Sequence, residues 1–390
     1  MTWFPVTSWS SVTSAPERAG AIGAFTASWR PAEVGLVALR LVVVVTVVIG
    51  VPHYPDAAAQ RFSDIAHQPG IPWRDTPVEY AIGDWIVIRA IGWGSLALTR
   101  ALLAVVAFGA DLVAWRAIRR GWGQDAAVRY LWLGAPLLIF IYRRSDLVPV
   151  ALAALALAWA RRDRERAGGI ALGVAALTKV WPLVVAPALA LERRRRALAT
   201  AAVAAAAGLA AWIAIGGPGA LRQVGTFRGS TGWEIDSTIG VPVWAVTGEH
   251  RFEEGANRAG AIPPGAPAAL LLVTVVTVTL IWLLARHRDE IPAGAPALAA
   301  VAALLSFSPV FSPQYVAWLL PWTAVAGGDG RRWTWLGAAP VIITGALVTI
   351  WYVDVDLGPG GNQLVLGARN LSVIVIVVVY LVEASRTRRA

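Results

Sequence analysis

The sequence predicts an all-α membrane protein with many spanning helices, and three observations support this fold class. Hydrophobic residues make up 57% of the chain and charged residues 15%, whereas a soluble domain carries roughly 25% charged residues. Uncharged apolar runs recur along the whole length, and the long ones approach the roughly 20 residues that a helix needs to cross hydrocarbon. Clusters of arginine adjoin the ends of these runs, as they do in membrane proteins.

The arginine clusters also predict how the chain is oriented. Basic loops of membrane proteins stay in the cytoplasm, so we expect every cluster to lie there. Orientation and contact with anionic lipid heads account for the net charge of +10, and we expect no nucleic-acid partner. The clusters are Arg116/Arg119/Arg120, Arg161/Arg162/Arg164/Arg166, Arg193 to Arg196, Arg286/Arg288, Arg331/Arg332 and Arg386/Arg388/Arg389.

With these clusters inside, the sequence predicts about twelve helices in a single domain, residues 1–390, with both termini cytoplasmic. Residues 1–33 are expected to form a cytoplasmic segment without a cleavable signal peptide. Loops 52–94 and 216–265 are expected on the outer face and to contain short helices. The predicted spans are about 34–51, 95–115, 128–142, 147–160, 197–215, 266–285, 295–306, 314–326, 335–353 and 369–383, with 168–178 and 181–191 as half-helices or a re-entrant pair.

Asp56 is the first candidate for chemistry, because it follows the first apolar run by about five residues. An isolated carboxylate near the membrane is costly and usually has a function or a partner. There it can act as a general base on a sugar or lipid hydroxyl. The alternative is a set of surface ion pairs with its neighbours, Arg61, Asp64, Arg74, Asp75 and Glu79.

Two basic segments are candidates for binding an anion. Arg143 and Arg144 precede Asp146 at a hairpin tip, and guanidinium groups suit phosphate or carboxylate. Alternatively, the arginines extend to the interface and Asp146 caps the next helix. Lys179 is the only lysine and lies between two apolar halves. Its ammonium can meet a lipid phosphate, extend to the interface, or pair with a buried carboxylate such as Asp111.

Two further segments are candidates for sugar binding. The loop 227–240 combines glycine and hydroxyl residues with aromatic and charged ones, as sugar sites do; the alternative is an ordinary polar loop. Its candidates are Arg228, Trp233, Glu234 and Asp236. Pro313 breaks the helix ladder, so Gln314 and Tyr315 can project into a cavity, unless the proline only kinks a helix.

Several classes of protein are disfavoured. The chain has no cysteine, no His-Glu-x-x-His, no Walker loop and no Gly-x-Ser-x-Gly. These absences argue against a zinc protease, an NTP-driven pump and a serine hydrolase. The acids are too dispersed to define a metal site, although a divalent metal is not excluded.

The order of these segments resembles a known family. Asp56 is followed by Pro72-Trp-Arg-Asp-Thr-Pro-Val-Glu-Tyr80, the Arg144–Pro149 tip, the Leu177–Pro182 segment, the loop around Glu234 and the Ser312–Tyr315 motif. Over roughly 50–325 this resembles integral-membrane glycosyltransferases of the C-type fold, specifically glycosyltransferase family 87. That family includes actinobacterial mannosyltransferases that use polyprenyl-phosphate-mannose, and related arabinofuranosyltransferases.

The resemblance implies a role for each candidate. Asp56 resembles the catalytic base. Arg144 with Asp146, Lys179 and Arg228 resemble polar groups that are either structural or on the donor side, and Lys179, Arg144 and Arg228 are the candidates for binding the donor phosphate. The residues expected to bind acceptor or sugar are Glu79, Trp233, Glu234, Asp236, Gln314 and Tyr315.

The implied enzyme works on the outer face of the plasma membrane without a cofactor. It transfers a sugar, mannose before arabinofuranose, from a polyprenyl-phosphate donor to a hydroxyl of a lipid-linked or cell-wall glycan. A transporter or flippase of a lipid-linked sugar is the alternative, since it also has polar cavities and broken helices. A non-catalytic assembly subunit is a third possibility.

Overall fold

The structure, a computed structural model, describes residues 29–50, 57–225, 230–253, 255–286, 293–328, 331–352 and 357–386. These residues are mostly helical. The α-helices are α1 (Pro31–Ile49), α2 (Ala57–His67), α3 (Ile82–Ile91), α4 (Leu96–Trp122), α5 (Gln124–Gly134), α6 (Leu138–Ile141), α7 (Leu147–Arg161), α8 (Glu165–Thr178), α9 (Pro187–Leu191), α10 (Arg195–Gly216), α11 (Gly219–Gly225), α12 (Gly240–Thr247), α13 (Ala266–Ala285), α14 (Ala295–Phe307), α15 (Leu320–Ala326), α16 (Arg331–Tyr352) and α17 (Gly358–Arg386). Within these ranges, three 3₁₀ helices occupy Ala135–Leu137, Trp181–Val185 and Pro313–Leu319.

Within the described ranges, six helices are long and apolar enough to cross a membrane: α1, α4, α10, α13, α16 and α17. Their outer surfaces are apolar; Val203 on α10 is 68% exposed, and Leu271 and Leu272 on α13 are 64% exposed. Such extensive exposed apolar surface is typical of contact with lipid. The prediction of a helical membrane protein is therefore confirmed. The count of twelve spans and the C-type fold stay predictions.

Several predicted spans differ in length from the helices observed. α4 has 27 residues and reaches Trp122, whereas the sequence suggested an end near residue 115. The predicted span 128–142 is divided into α5, a 3₁₀ turn and α6, since Pro136 cannot donate to the helix ladder. The predicted half-helices differ from each other: α8 is regular, and it is followed by a 3₁₀ helix and the short α9.

A small sheet corrects the all-α prediction for the loop 216–265. Strands β1 (Trp233–Glu234), β2 (Arg251–Glu253) and β3 (Ala256–Ala259) form an antiparallel sheet in the order β1-β3-β2. Gly255 has a φ of 82° between β2 and β3, a conformation that glycine adopts without steric cost. In this sheet Glu234 pairs with Arg258, which fixes the position of a candidate site residue.

The arginine clusters of neighbouring helices meet at one end of the helical bundle. Arg162, after α7, donates to the carbonyl of Arg120 near the end of α4 at 3.3 Å. Arg161 forms an ion pair of 3.1 Å with Glu192, after α9. Arg194 forms a 2.6 Å ion pair with Asp163. We call this the arginine-rich end.

A buried ionic network joins α1, α4, α5 and the residue that follows α6. Arg40 on α1 donates through Nε to Asp111 of α4 at 2.8 Å, and both side chains are almost fully buried. Arg40 also donates through Nη2 to the carbonyl of Leu131 at 3.0 Å. The hydroxyls of Tyr130 and Tyr142 each donate to Asp111 at 2.7 Å. Asp111 is therefore the partner of Arg40, and the suggested pairing of Lys179 with Asp111 is wrong.

The network predicts a large effect of Asp111→Asn on stability. Removing one partner of a buried ion pair leaves the other charge uncompensated, so we expect a loss of about 3 kcal/mol in the free energy of unfolding. Asp125→Asn is the matched control, because Asp125 pairs with Arg30 at an exposed site where such pairs contribute about 0–1 kcal/mol. Unfolding in detergent measures both; equal losses would contradict the assignment.

Candidate functional site

Lys179 lies at a break in the helical path, directly after α8. Its backbone is extended (φ −145°, ψ 143°), and Pro182 follows in the next turn. The ammonium forms a 2.7 Å ion pair with Asp146, whose carboxylate also accepts a 3.0 Å hydrogen bond from the indole of Trp318. Asp146 is buried and makes no capping bond to α7. The prediction that the Asp146 side chain caps α7 is therefore wrong, since this carboxylate pairs with Lys179.

Asp84 adds a second buried carboxylate beside this pair, and the sequence did not identify it as a candidate. It lies on α3, and Ser145 donates to its Oδ2 at 3.3 Å. Its Oδ1 is buried without a hydrogen-bond partner among the described residues. Burial raises the pKa of Asp84 to about 6, although the positive charge of Lys179 opposes this. A single acid inside the apolar run 82–88 is the signal that could have identified it.

α3 is held at the site by a close backbone approach. A Cβ atom at Gly83 would lie 2.7 Å from the carbonyl carbon of Leu177 and 2.8 Å from the amide of Thr178. Only glycine permits this contact, which brings Asp84 next to the break after α8. The first loop therefore packs directly against the segment that carries Lys179.

Three aromatic rings are stacked beside the ammonium. Trp318 stacks on Trp181 with 5.3 Å between ring centroids and on Tyr315 with 4.2 Å. The ammonium of Lys179 lies 5.2 Å from the Tyr315 ring and 5.8 Å from the Trp318 ring. Such cation–π contacts favour the charged form of the lysine.

The site lies at the end of α8 that is far from the arginine-rich end. α8 has 14 residues and starts at the arginine-rich end, so it rises about 21 Å at 1.5 Å per residue. The ammonium of Lys179 is therefore separated from the arginine-rich end by about the length of this helix.

A second polar cluster forms around Glu234 in β1. Ser312 donates to Glu234 Oε1 at 2.5 Å, while Oε2 is buried with no hydrogen-bond partner among the described residues. Burial, and then the charge of Asp236, raise the pKa of Glu234 to about 7. Tyr315 is in the same 3₁₀ helix that begins after Ser312, so residues 312–318 connect this cluster to Lys179.

α17 holds the loop that carries Glu234. Arg369 and Asn370 both donate to the backbone carbonyl of Asp236, the latter at 3.1 Å. Arg369 also donates to the carbonyl of Phe311 at 3.1 Å, with its guanidinium 4.1 Å from that ring. Arg369 thus connects the loop to the segment before Ser312, and this contact was not predicted because the two segments are far apart in sequence. Burial raises the pKa of Asp236.

The remaining predicted site residues that the structure describes lie in different surroundings. Glu79 accepts two hydrogen bonds from Arg61, at 2.8 and 2.6 Å, in the same pairing that the surface alternative proposed. Arg144 lies 5.1 Å from the Phe140 ring, and its Nε is buried without a partner among the described residues. Trp233 is buried in the sheet, so little of its ring is accessible, whereas Gln314 is half-buried next to Tyr315.

Asp56 and Arg228 lie outside the described residues, so their predicted roles stay predictions. Asp56 immediately precedes α2 in the sequence. Among the residues described, no three His, Asp or Glu side chains are grouped as ligands of a metal ion. The expectation that the enzyme needs no cofactor also stays a prediction.

Comparison with known proteins identifies the class of this membrane protein. The model of glycosyltransferase family 87 matches residues 79–313, more than half of the 390-residue chain. The chain therefore belongs to glycosyltransferase family 87. No curated protein matches it. The match contains Asp84, Arg144, Asp146, Lys179 and Glu234, but it begins after Asp56 and ends before Gln314.

The protonation of Glu234 predicts a pH-dependent stability. Its pKa is raised from the ordinary value to about 7, so the folded state binds this proton more tightly than the unfolded state. This contribution is complete below the unfolded pKa and is lost as the pH rises through about 7. We expect the unfolding temperature of the wild type to fall more steeply between about pH 5 and pH 8 than that of Glu234→Gln.

Glu249→Gln is the control for this measurement, because Glu249 is an exposed acid of the same loop. Its unfolding temperature should follow the wild-type curve. Parallel curves for Glu234→Gln and the wild type would show that Glu234 is not protonated in the folded protein near neutral pH.

Proposed function

We propose that this glycosyltransferase transfers a sugar from a polyprenyl-phosphate donor to a hydroxyl group of a lipid-linked or cell-wall glycan. The observation that carries the proposal is the 2.7 Å ion pair of Lys179 with the buried Asp146. We place this ammonium at the depth of the far leaflet, because α8 rises about 21 Å from the arginine-rich end and the hydrocarbon core is about 30 Å thick. A lipid-borne phosphate reaches that depth without leaving the membrane. A soluble nucleotide donor would have to enter the bilayer to do so.

Arg144 supports the same position for the donor phosphate. Lys179 and Arg144 both act electrostatically on the phenol of Tyr80, so the two cations lie in one region. Arg144 has an unpartnered Nε among the described residues, which leaves it a donor for a phosphate oxygen. Two cations beside the phosphate stabilise the charge that develops when the sugar–phosphate bond breaks. Arg228 is proposed as a third basic group on the donor side.

In the proposed reaction Asp56 is the general base. It removes the proton of the acceptor hydroxyl while that oxygen attacks the anomeric carbon, and the lipid phosphate leaves with the bonding electrons. A single displacement of this kind inverts the anomeric configuration. α2, which follows Asp56 in sequence, packs on α3, where Asp84 contributes to the site.

Glu234 is the acid best placed to bind a sugar hydroxyl. Its Oε2, which has no hydrogen-bond partner among the described residues, can accept a hydrogen bond from such a hydroxyl, while Ser312 donates to the other oxygen. Tyr315, Gln314 and Asp236 are proposed to complete the acceptor side. Glu79 would contribute to the acceptor side by orienting Arg61, with which it forms an ion pair. Trp233 is buried, so we propose that it supports the loop and does not stack on a sugar.

The proposed location follows from the arginine-rich end. Because basic loops remain in the cytoplasm, that end and both termini are proposed to be cytoplasmic, in the plasma membrane. The site then opens to the extracytoplasmic face. By resemblance within the family, mannose is the proposed sugar, with arabinofuranose as the second candidate. The family match favours an enzyme over the transporter considered from the sequence.

The donor role of Lys179 is tested by comparing Lys179→Met with the double variant Lys179→Met/Asp146→Asn. Loss of one hydrogen bond to a charged group should raise the donor KM roughly tenfold to a hundredfold, with the acceptor KM unchanged. The double variant removes the unpaired Asp146 charge. It should remain impaired in donor KM, as measured with a short-chain polyprenyl-phosphate-mannose in proteoliposomes.

A purely structural lysine gives a different result. In that case the double variant recovers wild-type kinetics, because the only defect of Lys179→Met was an uncompensated buried carboxylate.

The role of Asp56 is tested by Asp56→Asn. A general base contributes about 10²- to 10⁴-fold, so kcat should fall by that factor while donor binding is retained. Asp64→Asn is the control, since Asp64 is an exposed acid of α2 whose hydrogen bond among the described residues is a local one from Gln60. Wild-type transfer by Asp56→Asn would exclude this residue as the base.

A further inference from the structure

A cleft lies at the arginine-rich end, away from the Lys179 site. It lies between the ends of α4, α7, α13 and α15, and the non-protein space in and in front of it, open solvent included, is about 400 Å³. Trp122, Trp282 and Trp322 form much of its wall, and the ion pair of Arg161 with Glu192 lies at its polar side. Indole side chains concentrate where lipid head groups meet hydrocarbon. The cleft therefore has the lining expected at that boundary.

A patch of positive charge adjoins the cleft. The guanidinium of Arg120 lies within electrostatic range of Arg116, Arg162 and Arg164, and no acid acts on it among the described residues. Arg120, Arg162 and Arg164 are all exposed. Asp163, which lies between the last two in sequence, pairs instead with Arg194 at 2.6 Å. The patch thus presents several guanidinium groups to one anion.

The patch and the cleft share two chain segments. Arg161 stacks on Trp122 with 5.4 Å to the ring centroid, and both residues line the cleft. The next residue, Arg162, donates to the carbonyl of Arg120 at 3.3 Å. The positive patch is therefore continuous with the apolar wall, so one molecule with an anionic head and an apolar tail can occupy both.

We propose that this surface binds an anionic phospholipid, with its phosphate on Arg120, Arg162 and Arg164 and one acyl chain in the tryptophan-lined cleft. Basic pockets between membrane helices suit such head groups, and arginine forks match phosphate oxygens. The apolar cleft selects a lipid over a soluble anion, since a free phosphate leaves the cleft empty. This site is separate from the catalytic one and does not depend on the function proposed for it.

The test uses the full-length protein purified in neutral detergent, with unfolding temperature as the readout. Dioleoyl-phosphatidylglycerol should stabilise the wild type in a saturable way, and dioleoyl-phosphatidylcholine should not. Arg162→Gln/Arg164→Gln should weaken the phosphatidylglycerol affinity about 30-fold. Arg195→Gln/Arg196→Gln is the matched control. It removes the same number of charges at the same end of the bundle, and neither residue lines the cleft. It should leave the affinity unchanged.

Two additional measurements separate a lipid site from general attraction of anions. Ala188→Phe places a larger side chain on the cleft wall and should abolish phosphatidylglycerol binding without altering the unfolding temperature of the lipid-free protein. Soluble glycerophosphoglycerol should bind far more weakly than the lipid. Equal weakening by the two arginine double variants, or equal binding of the soluble head group, would overturn the proposal.

Discussion

The segment from Tyr142 to Asp146 takes part in two buried charge networks, and the packing of α1, α4, α5 and α8 depends on it. Tyr142 donates to Asp111, which compensates Arg40 at the centre of the bundle. Four residues later Asp146 compensates Lys179. In a membrane each of these charges is retained only with its partner, because the surroundings offer no water to replace it. The hairpin tip therefore fixes both the packing of α1 on α4 and the geometry of the site.

Much of this architecture was predictable, since the signals are local in the sequence. Apolar runs and internal prolines are enough to predict a helical membrane protein and breaks in its helices, whereas the orientation drawn from the arginine clusters stays a prediction. The partner of Lys179 was not predictable in the same way. Asp111 and Asp146 are both acids in apolar surroundings, and the choice between them depends on how α4 and α7 are rotated in the bundle. That rotation is a tertiary property.

The candidate site was predicted only in part, because some of its residues come together through tertiary contacts. Glu234, Tyr315, Lys179 and Arg144 were identified from unusual polar residues near apolar segments, and the structure connects the first three through residues 312–318. Asp84 was missed because its neighbours look like an ordinary helix. The burial of Trp233 was missed because the small sheet depends on pairing β1 with β3, residues more than twenty positions apart. Asp56 remains a prediction from resemblance.

The shortness of α8 has a consequence for the lipid beside the enzyme. With 14 residues, this helix extends about 21 Å, well below the thickness of ordinary hydrocarbon, and its Ile170 and Val174 are exposed. Bilayers accommodate such hydrophobic mismatch by thinning locally. A dimple beside α8 would draw head groups inward, so that the phosphate of a lipid-linked donor of the proposed kind comes closer to the level of the ammonium. Turnover would then depend on the acyl-chain length of the surrounding membrane.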